Sequence, residues 1–232
     1  MNSDLIPQNF FETLPEKISD FELEILNAES EKIFNLFRYK RAEKNRAVTA
    51  YFNEETKEFN LLITIDLFEF CKMEYISDSF DRFKANLKNF LQRDIDRLEK
   101  FDPDLLPSMI REKKLADWNF NLPTSFKNMS LEIKPSEPFE ITNGSFIIID
   151  YCNVELGNSF AILYNIYRDE FFCEEKIVHQ SVTNYDYDSK SLDELQSKLE
   201  KLFPFSEPEI HCFIFGVNIQ EEIISLLPLN ER

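Results

Sequence analysis

Phe139-Glu140-Ile141-Thr142-Asn143-Gly144-Ser145-Phe146-Ile147-Ile148 carries an Asn-Gly pair between two apolar runs. Asn-Gly accepts the positive φ that both central positions of a type I′ turn demand, so the flanking runs are expected to pair as an antiparallel hairpin. Leu156-Gly157-Asn158 predicts the next turn of the same kind. Strands joined by such short turns cannot be parallel, because a parallel pair needs a long crossover. The expected class is therefore α+β, with antiparallel sheets and separate helices.

Outward from this hairpin the chain reads as two related halves. Phe70-Cys71-Lys72-Met73-Glu74-Tyr75-Ile76-Ser77-Asp78-Ser79 aligns without a gap on Phe172-Cys173-Glu174-Glu175-Lys176-Ile177-Val178-His179-Gln180-Ser181. Phe59–Ile65 has a counterpart in Phe160–Ile166, and Leu23-Glu24-Ile25 recurs as Leu131-Glu132-Ile133. An internal duplication is expected, each half holding several strands and then a covering helix. Phe80, Phe83, Leu87, Phe90, Leu91 and Leu98 fall at helical steps behind Asp78 and Ser79, either of which suits an N-cap. In the second half Leu192, Leu195, Leu199 and Leu202 form one stripe, Ser191 and Glu194 make a capping box, and Pro204 stops the helix. By this alignment Thr183 to Leu192, with Tyr185-Asp186-Tyr187-Asp188, is an insertion expected to form a solvated loop.

The division that follows is an N-terminal α+β half over 1–101, a connector over 102–128 and an acidic α+β half over 129–232, with the halves free to pack as one domain. Pro103, Pro107 and Pro123 mark the connector, and Trp118 beside Phe120 should anchor it. A strand is expected at Ile210–Phe215 and a short apolar helix or turn around Ile223–Leu227.

The chain has 232 residues, 24 of them Phe, and is 43% hydrophobic, which is enough for a substantial core. Formal net charge is −17. Residues 1–128 hold 24 acidic and 19 basic groups, and residues 129–232 hold 19 and 7, so the second half carries most of the field. Such a surface repels nucleic acid and anionic lipid and speeds encounter with basic proteins. Met1 to Phe11 has no leader pattern and no run is long enough to span a bilayer, so a cytoplasmic protein is expected. Cys71, Cys152, Cys173 and Cys212 show no metal or redox spacing and read as buried thiols.

Catalytic patterns are sparse. Gly144, Gly157 and Gly216 are the only glycines, which removes the phosphate-binding loops and the nucleophile elbow. His179 and His211 read as structural or surface residues. Asp150, Glu174 and Lys176 outline a divalent-metal-dependent hydrolase or nuclease, and Asp186-Tyr187-Asp188 an Asp-x-Asp clamp, although Glu-x-Lys spacing recurs elsewhere in the chain. Arg38-Tyr39-Lys40-Arg41 with Lys44 and Arg46 forms a basic patch, expected to pair with the protein's own acids or with a second copy. No cofactor and no metal is called for. The reading favoured is a non-enzymatic acidic protein, of the immunity or antitoxin-type inhibitor kind, which binds a basic protein partner. Its expected contact residues are Tyr185, Asp186, Tyr187, Asp188, Glu174 and Glu175. A scattered-carboxylate enzyme and a structural or chaperone-like homodimer are the alternatives.

Overall fold

Alternating apolar and polar residues build two antiparallel sheets in a computed structural model that describes residues 6–30, 32–41, 43–142 and 144–203. The first sheet is a meander of β1 (Lys17–Ile18), β2 (Phe21–Ser30), β3 (Ile33–Lys40), β4 (Arg46–Asn53), β5 (Glu58–Ile65) and β6 (Phe68–Cys71). Helix α1 (Phe80–Glu99) follows it. A linking stretch holds the short helix α2 (Ser108–Glu112). The second sheet comprises β7 (Ser125–Phe126), β8 (Met129–Ile133), β9 (Phe139–Glu140), β10 (Ser145–Asn153), β11 (Asn158–Asn165), β12 (Glu170–Ile177) and β13 (Gln180–Ser189). Its order is β13-β12-β11-β10-β8-β7, with β9 also on β10, and α3 (Leu192–Leu202) follows. The class is α+β with two antiparallel sheets.

The expected hairpin forms. Phe139 pairs with Ile147, Ser145 N–H donates to Thr142 O at 3.1 Å, and Gly144 takes φ +66°. Gly157 turns β10 into β11 at φ +65°, and a Cβ there would meet the His179 ring at 2.4 Å. Glycine at 157 is thus required both by the backbone and by the ring that lies on it.

The two sheets correspond element by element at a separation of 112 residues. Tyr39 on β3 donates its hydroxyl to Pro15 O at 2.7 Å, and Tyr151 on β10 donates to Pro123 O at the same distance. Asn53 accepts from the backbone N–H groups of Glu55 and Thr56, and Asn165 from those of Tyr167 and Arg168. The Phe52–Phe59 ring pair, 4.8 Å between centroids, answers Tyr164–Phe171 at 4.9 Å. Phe59 bridges Ser77 as Phe171 bridges Ser189. Both helices begin after a serine, Ser79 or Ser191, whose hydroxyl accepts from the backbone N–H three residues on.

This corrects the register read from sequence. Phe59–Ile65 lies on β5, fifth in its sheet, whereas Phe160–Asn165 lies on β11, fourth along its sheet, so that match is one strand out of step. The same holds for Phe70–Ser79 against Phe172–Ser181, because Phe70 is on β6 and Phe172 on β12. Leu23 and Leu131 do correspond, each paired with its sheet's hydroxyl-donating tyrosine. Phe-rich strands resemble one another whatever their place in the order, so local similarity chose a neighbour. The stretch from Thr183 is not a loop either: it is the body of β13, since its alternating side chains suit a strand whose one edge pairs with β12.

Each helix covers its own sheet. Phe83, Leu87, Leu91, Ile95 and Leu98 of α1 are buried against the first sheet, and Leu195 and Leu199 of α3 against the second. The first core also contains Ile133, Ile147, Ala161 and Leu163, so one face of the second sheet packs into it. Leu106, Ile110, Leu115 and Phe120 of the linking stretch belong to the second core, where Trp118 stacks on Phe120 and donates to Gln196 Oε1 at 3.1 Å. The expected elements at Ile210–Phe215 and Ile223–Leu227, together with Pro204, His211, Cys212 and Gly216, lie outside the described residues.

Candidate functional surface and the buried carboxyl row

Strand β13 presents the contact residues expected from sequence. Pairing Cys173 with Asn184, Glu174 with Thr183 and Glu175 with Val182 seats one edge of β13 on β12. Among the described residues its other edge has no strand beside it. Tyr185 is 75% exposed, and Asp186 and Asp188 are exposed with it. Tyr187 differs: its ring packs on Phe160, edge to face at 5.2 Å, so it anchors the strand and is only partly available. Glu174 is exposed on the neighbouring strand, while Glu175 is half-buried and accepts from Asn184 Nδ2 at 2.6 Å. Five of the six expected residues therefore form one acidic-aromatic surface, with Tyr187 beneath it.

The residues considered for metal chemistry lie on the opposite side of this argument. Register places Ile133, Asp150, Ala161, Glu174 and Thr183 in one lateral row across the second sheet. Asp150 and Glu174 thus share a face but are two strands apart, about 10 Å by strand spacing, with Ala161 between them. Lys176 belongs to the next row and donates to Leu67 O of the β5–β6 turn, its ammonium also lying 5.4 Å from the Phe68 ring centre. Among the described residues no group of three or more His, Cys, Asp or Glu is placed to hold a metal ion.

Asp150 is fully buried, and neither carboxyl oxygen has a hydrogen-bond partner among the described residues. Burial pushes its carboxyl well above the usual range, the nearby acids Asp66 and Glu132 push the same way, and Lys176 opposes them. Asp66, at the β5–β6 turn with φ +54°, is also buried, and its Oδ2 is unpartnered. Burial raises it to about 6, with Glu132 adding to the rise and Arg46 and Lys44 working against it. Sequence reading missed Asp66 because nothing in Ile65-Asp66-Leu67 signals that the turn is pressed against the other sheet.

The remaining polar residues have structural settings. His179 donates its backbone N–H to Gly157 O at 2.8 Å. Cys152 and Cys173 are buried thiols raised mainly by desolvation, and Cys71 lies 3.2 Å from Tyr51 Oη. No family model, no curated protein and no solved structure matches the chain. Among the described residues no helix is long and apolar enough to cross a membrane.

Proposed function

We propose that the chain is a non-enzymatic acidic binding protein, of the immunity or antitoxin-type inhibitor kind, which docks a basic protein through β13. The observation that carries this reading is the exposed strand itself. Its unpaired backbone groups, with Tyr185, Asp186 and Asp188 beside them, suit strand addition by a partner, in which main-chain hydrogen bonds supply affinity and side chains supply choice. Glu174 and the net acidity of residues 129–232 supply the steering field. Free thiols at Cys71, Cys152 and Cys173 fit action in the cytoplasm.

We infer too that the halves 1–101 and 129–232 descend from one duplicated unit and work as a single domain. The common separation of 112 residues across hairpins, ring pairs and helix caps supports the first point, and the shared core supports the second. In this view only the second copy keeps its last strand available.

The test is capture of basic proteins from the native host on immobilised protein at low salt, repeated with the Asp186→Lys/Asp188→Lys variant. A basic protein held by the natural chain and released by raised salt or by the charge reversal is the expected result. Enrichment of no basic protein, or equal retention by the variant, overturns the reading.

A further inference from the structure

The basic residues that the acidic surface does not explain converge on one cavity. A cleft of about 620 Å³ opens between the two sheets, within the size range of small-molecule sites. Lys44 and Arg46, from the basic patch of the sequence, line it together with Arg97 and Lys100 from the end of α1. Among the described residues none of these four is ion-paired to a carboxylate. In a chain with 43 acidic groups that is unexpected, because surplus carboxylates should have claimed them. Arg46 Nη1 donates to Leu98 O at 2.5 Å, but the Nε atoms of both Arg46 and Arg97 are buried without a hydrogen-bond partner. A buried guanidinium N–H without an acceptor is costly, and an anion delivered to the cleft would supply one.

The rest of the lining sets the kind of anion. Ile63, Phe70, Leu98, Phe139 and Ile141 give the cleft apolar walls, so the ligand needs an apolar body. Its acids divide into those already engaged and those that face the ligand. Asp94 is held by Lys72 at 3.4 Å and by the Tyr75 hydroxyl at 2.7 Å, and Glu137 by Lys134 at 3.1 Å. Glu132 and Glu140, on the wall from the second half, have no such cation, and Glu74, Glu99 and Asp102 lie on the first-half wall. A polyanion such as a nucleoside triphosphate would meet these carboxylates, whereas one negative head close to Arg46 and Arg97 would not.

We propose that this cleft binds a small amphipathic monoanion, a carboxylate on an apolar acyl or aryl body, with its head at Arg46, Arg97 and Lys44 and its body between the two sheets. The site is separate from β13 and needs nothing of the partner proposed there.

Decanoate serves as the ligand probe, with anilinonaphthalene sulfonate as fluorescent reporter and decyltrimethylammonium as the charge control, all on the full chain. The expected result is saturable binding of one reporter per chain, displaced by decanoate and not by the ammonium compound. Lys44→Gln/Arg97→Gln should weaken decanoate by at least about tenfold through loss of charge-assisted contacts, while Arg97→Lys retains most of the affinity. Should the double variant unfold, Lys44→Gln/Lys100→Gln, which alters two exposed side chains, is expected to weaken binding about threefold by the loss of field alone. Absence of saturable binding, displacement by the ammonium compound as well as by decanoate, or unchanged affinity in the folded variants overturns the proposal.

Discussion

The last strand of the first sheet, β6, has four residues, and its neighbourhood is closed. Phe68 is 6% exposed, Lys176 of the other sheet lies over its ring, and the Leu67 carbonyl beside it accepts from the same lysine. The last strand of the second sheet, β13, has ten residues and carries Tyr185 at 75% exposure. The two strands follow turns set 112 residues apart, Ile65–Phe68 and Ile177–Gln180, so they occupy equivalent places in the same frame. What differs is the cover: the second sheet covers the end of the first, and among the described residues nothing returns the favour. A repeated frame thus yields one strand that joins the halves and one that is available to a partner.

The comparison is most exposed to refutation in the two cores. Phe59 and Phe171 occupy equivalent buried positions, yet Phe59 meets the rings of Phe52, Phe80 and Phe83 within 5.4 Å while the ring contact described for Phe171 is Tyr164. Truncating a buried Phe costs about 3–5 kcal/mol, and each aromatic pair adds roughly 0.5–1.5 kcal/mol beyond area. Urea unfolding should therefore place Phe59→Ala at the upper end of that range and Phe171→Ala at the lower. Equal losses would mean that the first core is not the tighter one.

A somewhat smaller effect is expected where the halves meet. Asp66 has its carboxyl raised to about 6 in the folded protein against 3.8 for the model value, so between these two pH values the native state holds a proton that the unfolded chain has released. Stability accordingly falls as pH rises from about 4 through about 6, by about 3 kcal/mol for a shift of this size, and is flat above it. Asp150 shifts in the same direction and extends the decline to higher pH. Denaturation midpoints at pH 5 and pH 8 should differ in the natural chain and converge in Asp66→Asn. A variant that keeps the full difference would show that the burden lies elsewhere.

How much of this was legible in the residues depends on the range of the interaction that decides each feature. The Asn143-Gly144 and Gly157 turns, the α1 stripe and the Ser79 and Ser191 caps are set by neighbours within a few positions, and the sequence displays them directly. The Ser191 box is realised only in part: Ser191 accepts from Glu194 N–H, but the Glu194 carboxylate reaches back to Lys190 N–H instead of that of Ser191. The strand correspondence was misjudged because Phe-rich strands offer many local matches, and pairing order is settled by contacts across the sheet. The candidate surface was half visible: Tyr185 and Asp186 announced themselves by type, while their place on a strand followed from β12. Asp66 and Arg97 gave no signal, since both owe their setting to a sheet far away in sequence.

Two tyrosines offer a finer comparison. Tyr39 and Tyr151 each donate to a proline carbonyl four positions ahead of a strand register mark, Pro15 before Ser19 and Pro123 before Lys127, both of which have positive φ. Removing either hydroxyl leaves a carbonyl without its donor, a loss of about 1 kcal/mol. Tyr39→Phe and Tyr151→Phe should cost the same within about 0.5 kcal/mol by urea unfolding, and the double variant should lose their sum because the sites share no partner. A clear inequality would mean that one of the two bonds is incidental to its sheet.

The smallest effect lies in the turns that precede the two final strands. Asp66 and Val178 are equivalent and both left-handed, at φ +54° and +51°. Aspartate tolerates that region through its short polar side chain, whereas a β-branched valine meets the full clash of its branched carbon with the backbone. The second turn continues with His179 at φ +64°, so both central residues have the signs of a type I′ hairpin, where asparagine is favoured first. Val178 is 68% exposed, and the bond it makes, from its backbone N–H to Asn158 Oδ1 at 2.8 Å, survives a change of side chain. Val178→Asn should therefore stabilise the protein by roughly 0.5–1 kcal/mol, the relief of left-handed strain unopposed by any lost packing. The valine would be tolerated at this cost only if the turn were under little demand, which is consistent with a β13 that nothing described here covers. A destabilised Val178→Asn would place an apolar contact at residue 178, and with it some cover over that end of the strand.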